Sequence, residues 1–207
     1  MSLVKNDNVF KIIGQSLLNA MTYKEYRNFV SELTATKSTS GPKQTEALIN
    51  YTQLNDSRMN RWDKKLKIPA EIEEAIIKID KKLTFLVLTE SWCGDASPSL
   101  PVMNKIAELN SNIEFKIVLR DENLELMNEF LTNGGMSIPK LIIVDNDQEK
   151  VISDWGPRPS IATKMVEDYK AEHGKLTAEF KQDLQVWYNK NKGQNILEDI
   201  VSLLPLK

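Results

Sequence analysis

Cys93 is the chain's one cysteine, and it stands in Trp92-Cys93-Gly94-Asp95-Ala96-Ser97. Its chemistry depends on ionisation, because the thiolate and not the thiol attacks a disulfide. The run Leu83 to Leu88 before it is short, apolar and rich in strand formers, while Leu100, Met103 and Ala107 after it recur at helical spacing. Cys93 therefore falls where a strand hands over to a helix. Unpaired N–H groups and the positive end of the helix dipole favour the thiolate there. A free cysteine with a pKa near ~8.5 is only about 3% thiolate at pH 7, and lowering the pKa to about 7 ionises half of it. The competing reading is an inert cysteine that fills a gap in the core. The polar, turn-rich neighbours and Pro98 argue against it.

Three features in order extend the signal. Trp92-Cys93-Gly94 is followed by Pro101, eight residues after the cysteine, and then by Ile138-Pro139 directly before the strand-like Leu141-Ile142-Ile143-Val144. With Trp155-Gly156-Pro157 as a fourth, the chain resembles the thioredoxin family. That family carries Trp-Cys-Gly-Pro-Cys at the junction, a proline eight residues on, a cis-proline before a central strand and a glycine loop beside the thiol. The resemblance implies an α/β, thioredoxin-like fold of order βαβαββα around a mixed sheet. It also implies Cys93 as the catalytic thiol, with Trp92, Gly94, Asp95, Ile138, Pro139, Trp155 and Gly156 around a substrate groove. A cis Pro139 exposes the Ile138 backbone to an extended peptide or thiol ligand.

The match breaks at the second thiol, because the position three residues after Cys93 is Ala96, with Ser97 next. Without a resolving cysteine a mixed disulfide waits for an outside thiol, and an unaided dithiol cycle is excluded. The family's buried aspartate, six residues before the first cysteine, is Val87 here. Asp95, in place of the motif proline, is open to two readings: a helix cap, or an anion that raises the thiol pKa. Arg120 is expected at the same sheet edge, where it can lower the Cys93 pKa, pair Asp95 or bind a carboxylate. Lys140 and Arg158 add to the same anion-friendly rim. His173 reads as a solvated residue at a helix end.

Two functions compete. One is a monothiol redox protein whose Cys93 forms mixed disulfides with protein thiols or a low-molecular-weight thiol. The other is a non-catalytic binding module that keeps the fold. A cluster bridged by Cys93 is weaker, since Gly94-Asp95-Ala96 departs from the Cys-Gly-Phe-Ser of monothiol glutaredoxins. No cofactor is expected. One Cys and one His cannot form a four-ligand structural zinc site.

The elements that must hold this site follow from periodicity. Strands are expected at 83–89, 113–119, 140–145 and 149–155, with helices at 98–109, 123–132 and 160–172. Asp145-Asn146-Asp147-Gln148 supplies a hairpin turn. Residues 81–174 then form the core, 1–80 a helical N-terminal extension, and 175–207 further helices packed on it. In the extension, Phe10, Ile13, Leu17 and Met21 share a face, and Thr22-Tyr23-Lys24-Glu25 has the form of a capping box. Ala47, Tyr51, Leu54, Trp62 and Leu66 mark a long helix whose apolar stripe Arg58 interrupts. Pro69 opens another helix, and Asn195 and Glu198 are read as caps of the last.

The 207 residues carry 27 basic and 29 acidic side chains, a formal charge of −2. That balance offers no basic field for nucleic acid. The longest apolar runs, about four residues, are far short of the roughly 18 needed to cross a bilayer. Met1-Ser2-Leu3-Val4-Lys5 lacks the apolar core of a leader, and a lone cysteine forms no internal disulfide, so a cytoplasmic location is expected. Oligomeric state is not legible from the sequence.

Overall fold

The computed structural model describes residues 3–206. Met1 and Ser2, the start of the segment read above as leader-free, lie outside the described residues. Four strands form the sheet: β1 (Leu83–Thr89), β2 (Ile113–Leu119), β3 (Lys140–Asp145) and β4 (Lys150–Trp155). Their spatial order is β2-β1-β3-β4. β1 runs parallel to β2 and antiparallel to β3, and β4 returns antiparallel to β3. This is the mixed sheet the resemblance implies.

Every residue of β1 is buried, which explains its continuous apolar sequence: a central strand has helices over both faces. β2 starts with the expected alternation, Ile113 and Phe115 buried and Glu114 exposed, but its last three residues are all buried. Part of the reason is a departure from the helical period of the extension. Met21 is not on the first helix, α1 (Leu3–Leu17). It bridges to the outer edge of β2, exchanging two 2.8 Å backbone bonds with Ile117. The next residue, Thr22, opens α2 (Tyr23–Ala35) with the full reciprocal capping box to Glu25.

The long helix is α3 (Glu46–Lys65), and α4 (Ala70–Ile77) follows Pro69. α5 (Ala96–Glu108) leaves the end of β1 through Cys93 and contains Pro101. Between β2 and β3 the expected single helix is shorter, a 3-10 turn at Arg120–Glu122 and then α6 (Leu124–Glu129). α7 (Ser160–His173) completes the core order, and α8 (Ala178–Asn191) and α9 (Gln194–Val201) follow. Among the described residues no helix is long and apolar enough to cross a membrane.

Asn195 does not cap its own helix. It lies in the first turn of α9, whose N-cap is Gly193, and Glu198 makes no capping bond there. Asn195 and Asp199 instead cap α7 from outside. Ser160 N donates to Asp199 Oδ2 at 2.6 Å, Ile161 N donates to Asn195 Oδ1 at 3.0 Å, and Ser160 Oγ donates to Asp199 Oδ1 at 2.8 Å. The N-cap of α7 is Pro159, which has no side-chain acceptor of its own. The unpaired N–H groups at that end therefore draw on α9.

Asp199→Ala is expected to lower stability by about 1–2 kcal/mol, the range for losing a charged helix cap. Urea unfolding followed by tryptophan fluorescence reads this. A change under about 0.5 kcal/mol would mean solvent replaces the cap at no cost.

Candidate functional site around Cys93

The strand directions bring four segments to one edge: the ends of β1, β2 and β4, and the start of β3. Cys93 Sγ lies 3.2 Å from the Ile138 carbonyl and donates to it. The Ile138–Pro139 peptide is cis, as is Gly156–Pro157. Gly156 sits at φ +121°, and a Cβ there would strike the Pro139 carbonyl. Only glycine lets the two backbones approach this closely. Arg120 stacks over Trp92 with its guanidinium 5.0 Å from the ring centroid.

Cys93 is 7% exposed. Its backbone N–H is bonded to the Glu90 carbonyl at 3.1 Å, which shapes the turn into α5. Burial pushes the thiol up to about 12, with the Asp95 carboxylate adding to the rise. The Ala96 and Asp95 backbone N–H groups and Arg158 pull the other way. The helix-terminus effect expected from the sequence is present, and desolvation outweighs it. At rest the sulfur is a neutral hydrogen-bond donor, which corrects the expectation of a lowered pKa.

Asp95 is the N-cap of α5 by position, yet its side chain makes no capping bond. It turns instead to Arg158 Nη2 at 2.7 Å and accepts from the Tyr188 hydroxyl at 3.1 Å. Burial raises its pKa, against the opposing pull of Arg158, Tyr188 and Arg58. With a permanently cationic guanidinium at contact distance we read Asp95 as a carboxylate. The arrangement decides between the two readings of this residue: it acts as an anion beside sulfur.

The remaining candidates are less available than the sequence implied. Arg120 pairs Asp121 at 2.7 Å, and Lys140 is buried against Asp154 at 2.8 Å. With Arg158 held by Asp95, the three cations of the expected rim are locally neutralised. Trp155, Pro157, Ile138 and Pro139 are buried, so the expected apolar groove is largely closed. Trp92 and Gly94 stay half-exposed. His173 packs against Tyr169 with ring centroids 4.2 Å apart and the planes tilted by 48°, on the surface helix α7. Among the described residues no group of three or more His, Cys, Asp or Glu can hold a metal ion.

Several participants have no signal in the motif. Tyr188 comes from α8, 93 positions beyond its partner Asp95. Thr39 and Ser40, in the loop between α2 and α3, are buried. Ser40 Oγ donates to the Glu90 carboxylate, Asp121 N donates to the same carboxylate at 2.9 Å, and Ser91 N donates to Ser40 Oγ at 2.8 Å. Burial raises the Glu90 pKa. These bonds hold the turn that carries Cys93. Arg58, which breaks the stripe of α3, lies beside Gly94: a Cβ there would meet Arg58 Nη1 and Gln185 Nε2, each at 4.0 Å.

A family model described as Thioredoxin matches residues 41–170, which takes in α3, α4 and everything from β1 to most of α7 and leaves α1, α2, α8 and α9 outside. No curated protein matches the chain significantly. Among solved structures, the chain is similar to a protein of unknown function from Pseudomonas aeruginosa, with a TM-score of 0.58 and 16% identity over 88% of this chain and 96% of that one. It is also similar to an HIV epitope-scaffold, with a TM-score of 0.56 and 16% identity over 88% and 97%. At that identity the likeness concerns the fold.

Two outcomes follow for the thiol. Asp95→Asn removes the anion beside sulfur, so the thiolate fraction should rise and alkylation at pH 8 accelerate about tenfold for each pKa unit recovered; an unchanged or slower rate would remove Asp95 from the account. Because the folded-state thiol lies above a free cysteine, the stability it contributes is present in full below about pH 8.5 and is lost as pH rises toward 12. Cys93→Ala should flatten that decline in denaturation curves, and an identical decline in the variant would contradict the buried, neutral thiol.

Proposed function

Because the chain belongs to the thioredoxin family yet holds its single thiol neutral and covered, we propose that it works as a non-catalytic, thioredoxin-fold binding module. One observation carries this reading: Cys93 donates to the Ile138 carbonyl and is kept from ionising by burial and by Asp95. A thiol with a pKa of about 12 is roughly 0.001% thiolate at pH 7, more than a thousandfold below a free cysteine. The carbonyl that would receive an extended peptide already accepts a hydrogen bond from the thiol, and Ile138 and Pro139 are buried. Cys93 thus serves as an internal fastener between α5 and the start of β3. We assign the protein to a reducing, cytoplasmic compartment, where a lone thiol persists, and its partners to the protein class.

A specific arrangement favours monothiol exchange as the second reading. The Asp95 and Ala96 N–H groups face the sulfur, so a rearrangement that uncovers Cys93 would recover the nucleophile. The thiolate would then attack one sulfur of a partner disulfide, forming a mixed disulfide and expelling the other sulfur as thiolate. An external thiolate would attack the partner sulfur of that mixed disulfide and return Cys93 as thiolate. Trp92, Gly94, Ile138 and Pro139 would form the contact surface in this reading, with Arg120 and Arg158 as electrostatic neighbours.

The rate of iodoacetamide labelling of Cys93 against pH separates the two. The binding reading expects labelling to be slow at pH 7 and to rise with a midpoint above about 10. A midpoint near 7, together with disulfide exchange that Cys93→Ala abolishes, would overturn it in favour of the monothiol reading.

A further inference from the structure

Tyr51, Leu54, Arg58 and Arg61 fall at i, i+3, i+7 and i+10 of α3 and so share one stripe of the helix, about 15 Å long. The buried face beside it, Thr52, Asn55, Met59 and Trp62, anchors the helix. The stripe runs from apolar to cationic. Tyr51 is 39% and Leu54 45% exposed, large apolar side chains without cover. Arg58 donates to Asn55 Oδ1 at 3.3 Å and Arg61 to Asn189 Oδ1 of α8. Both acceptors are neutral amides. Among the described residues neither arginine has a carboxylate within ion-pair distance, although Arg27, Arg120 and Arg158 each have one. Asp95, the carboxylate that acts on Arg58 from a distance, is engaged by Arg158 and Tyr188.

Two guanidiniums that repel each other, with no anion in contact and only the already paired Asp95 acting on Arg58 from a distance, are an arrangement a negative ligand relieves. Partial burial adds to this, lowering the Arg58 pKa, with Arg61 contributing in the same direction against the opposing pull of Tyr51 and Asp95. The position is a seam: Arg58 and Gln185 both lie beside Gly94, and Tyr188 of α8 reaches past them to Asp95. An extended peptide of four or five residues spans about 15 Å, matching the stripe. Leucine-like side chains would cover Tyr51 and Leu54, and carboxylates would meet Arg58 and Arg61, with the amides of Gln185 and Asn189 as further polar contacts.

We propose that this α3–α8 seam is the docking site for an extended, acidic segment of a partner protein, apolar at one end and carboxylate-bearing at the other. The proposal rests on the binding-module reading and gives it a surface, the closed groove at Ile138 being unavailable. It also accounts for an arginine that interrupts an otherwise apolar stripe without contacting the thiol.

The test uses the full chain under reducing conditions and a fluorescent, cysteine-free peptide with two leucines followed by two glutamates, alongside its glutamine isostere. Anisotropy should show binding of the acidic peptide, a Kd weakened on the order of tenfold by Arg58→Gln or Arg61→Gln, and partial retention in Arg58→Lys. Raising salt from roughly 50 to 300 mM should weaken it further. Unchanged urea midpoints in the variants establish that the fold is intact. The proposal is overturned if the isostere binds equally, if both arginine variants bind as the parent does, if the acidic peptide does not bind, or if inorganic phosphate binds the seam and the peptide does not. Peptide binding that ignores both arginines removes this surface while leaving the module reading. A Cys93 that ionises near neutral pH removes that reading without bearing on the arginines.

Discussion

The carboxylate of Asp95, gripped by Arg158 and Tyr188, is the interaction on which the arrangement of the site depends. It ties three parts of the chain together: the turn into α5, the loop after β4, and α8. It also places an anion beside the one sulfur, in surroundings where solvent screening is weak. A buried carboxylate without Arg158 would be costly, and so would Arg158 without the carboxylate. The pair therefore favours a single placement of both, and Tyr188 of α8 is bonded to the same carboxylate.

The family's scaffold supplies everything a nucleophilic thiol needs except ionisation. The backbone N–H groups of α5, the adjacent cis peptide and the glycine loop are all in place. What differs is cover. Trp155 donates its indole N–H toward Asp199 of α9, Tyr188 of α8 fills the space beside Asp95, and desolvation then exceeds the helix contribution. Loss of the second thiol at Ala96 and of the buried acid at Val87 is consistent with this state, since neither has a proton to move when Cys93 stays neutral.

Cross-element satisfaction of polar groups recurs through the molecule. α9 caps α7 through Asn195 and Asp199, Ser40 and Asp121 serve the buried Glu90, and Asn110 donates to the carbonyls of Ile76 and Ile79 at the end of α4. Each such bond answers a buried group that its own element leaves unpaired. The helices outside the region matched by the family are in this sense part of the site's support. α2 is stitched to α3 by Arg27, which pairs Asp56 at 3.0 Å, and by Tyr23, whose hydroxyl donates to Asp63 at 2.7 Å.

Much of the architecture was readable along the chain because local patterns encode it. The apolar run of β1, the turn at 145–148, the Thr22–Glu25 box, and the spacing of Trp92-Cys93-Gly94, Pro101 and Ile138-Pro139 act over a few residues or depend only on order. Where such signals weaken, local pattern and structure part: Met21 continues a helical period but serves the edge of β2, and Asn195 has the position of a cap for α9 but caps α7. By itself the sequence determined the strand and helix order, the junction that carries Cys93 and the absence of a resolving thiol. The tertiary structure alone decided the protonation of that thiol, the engagement of Asp95 and the closing of the groove. These depend on how far a group is removed from water and on which distant side chain reaches it, and neither quantity is set by neighbours in the chain.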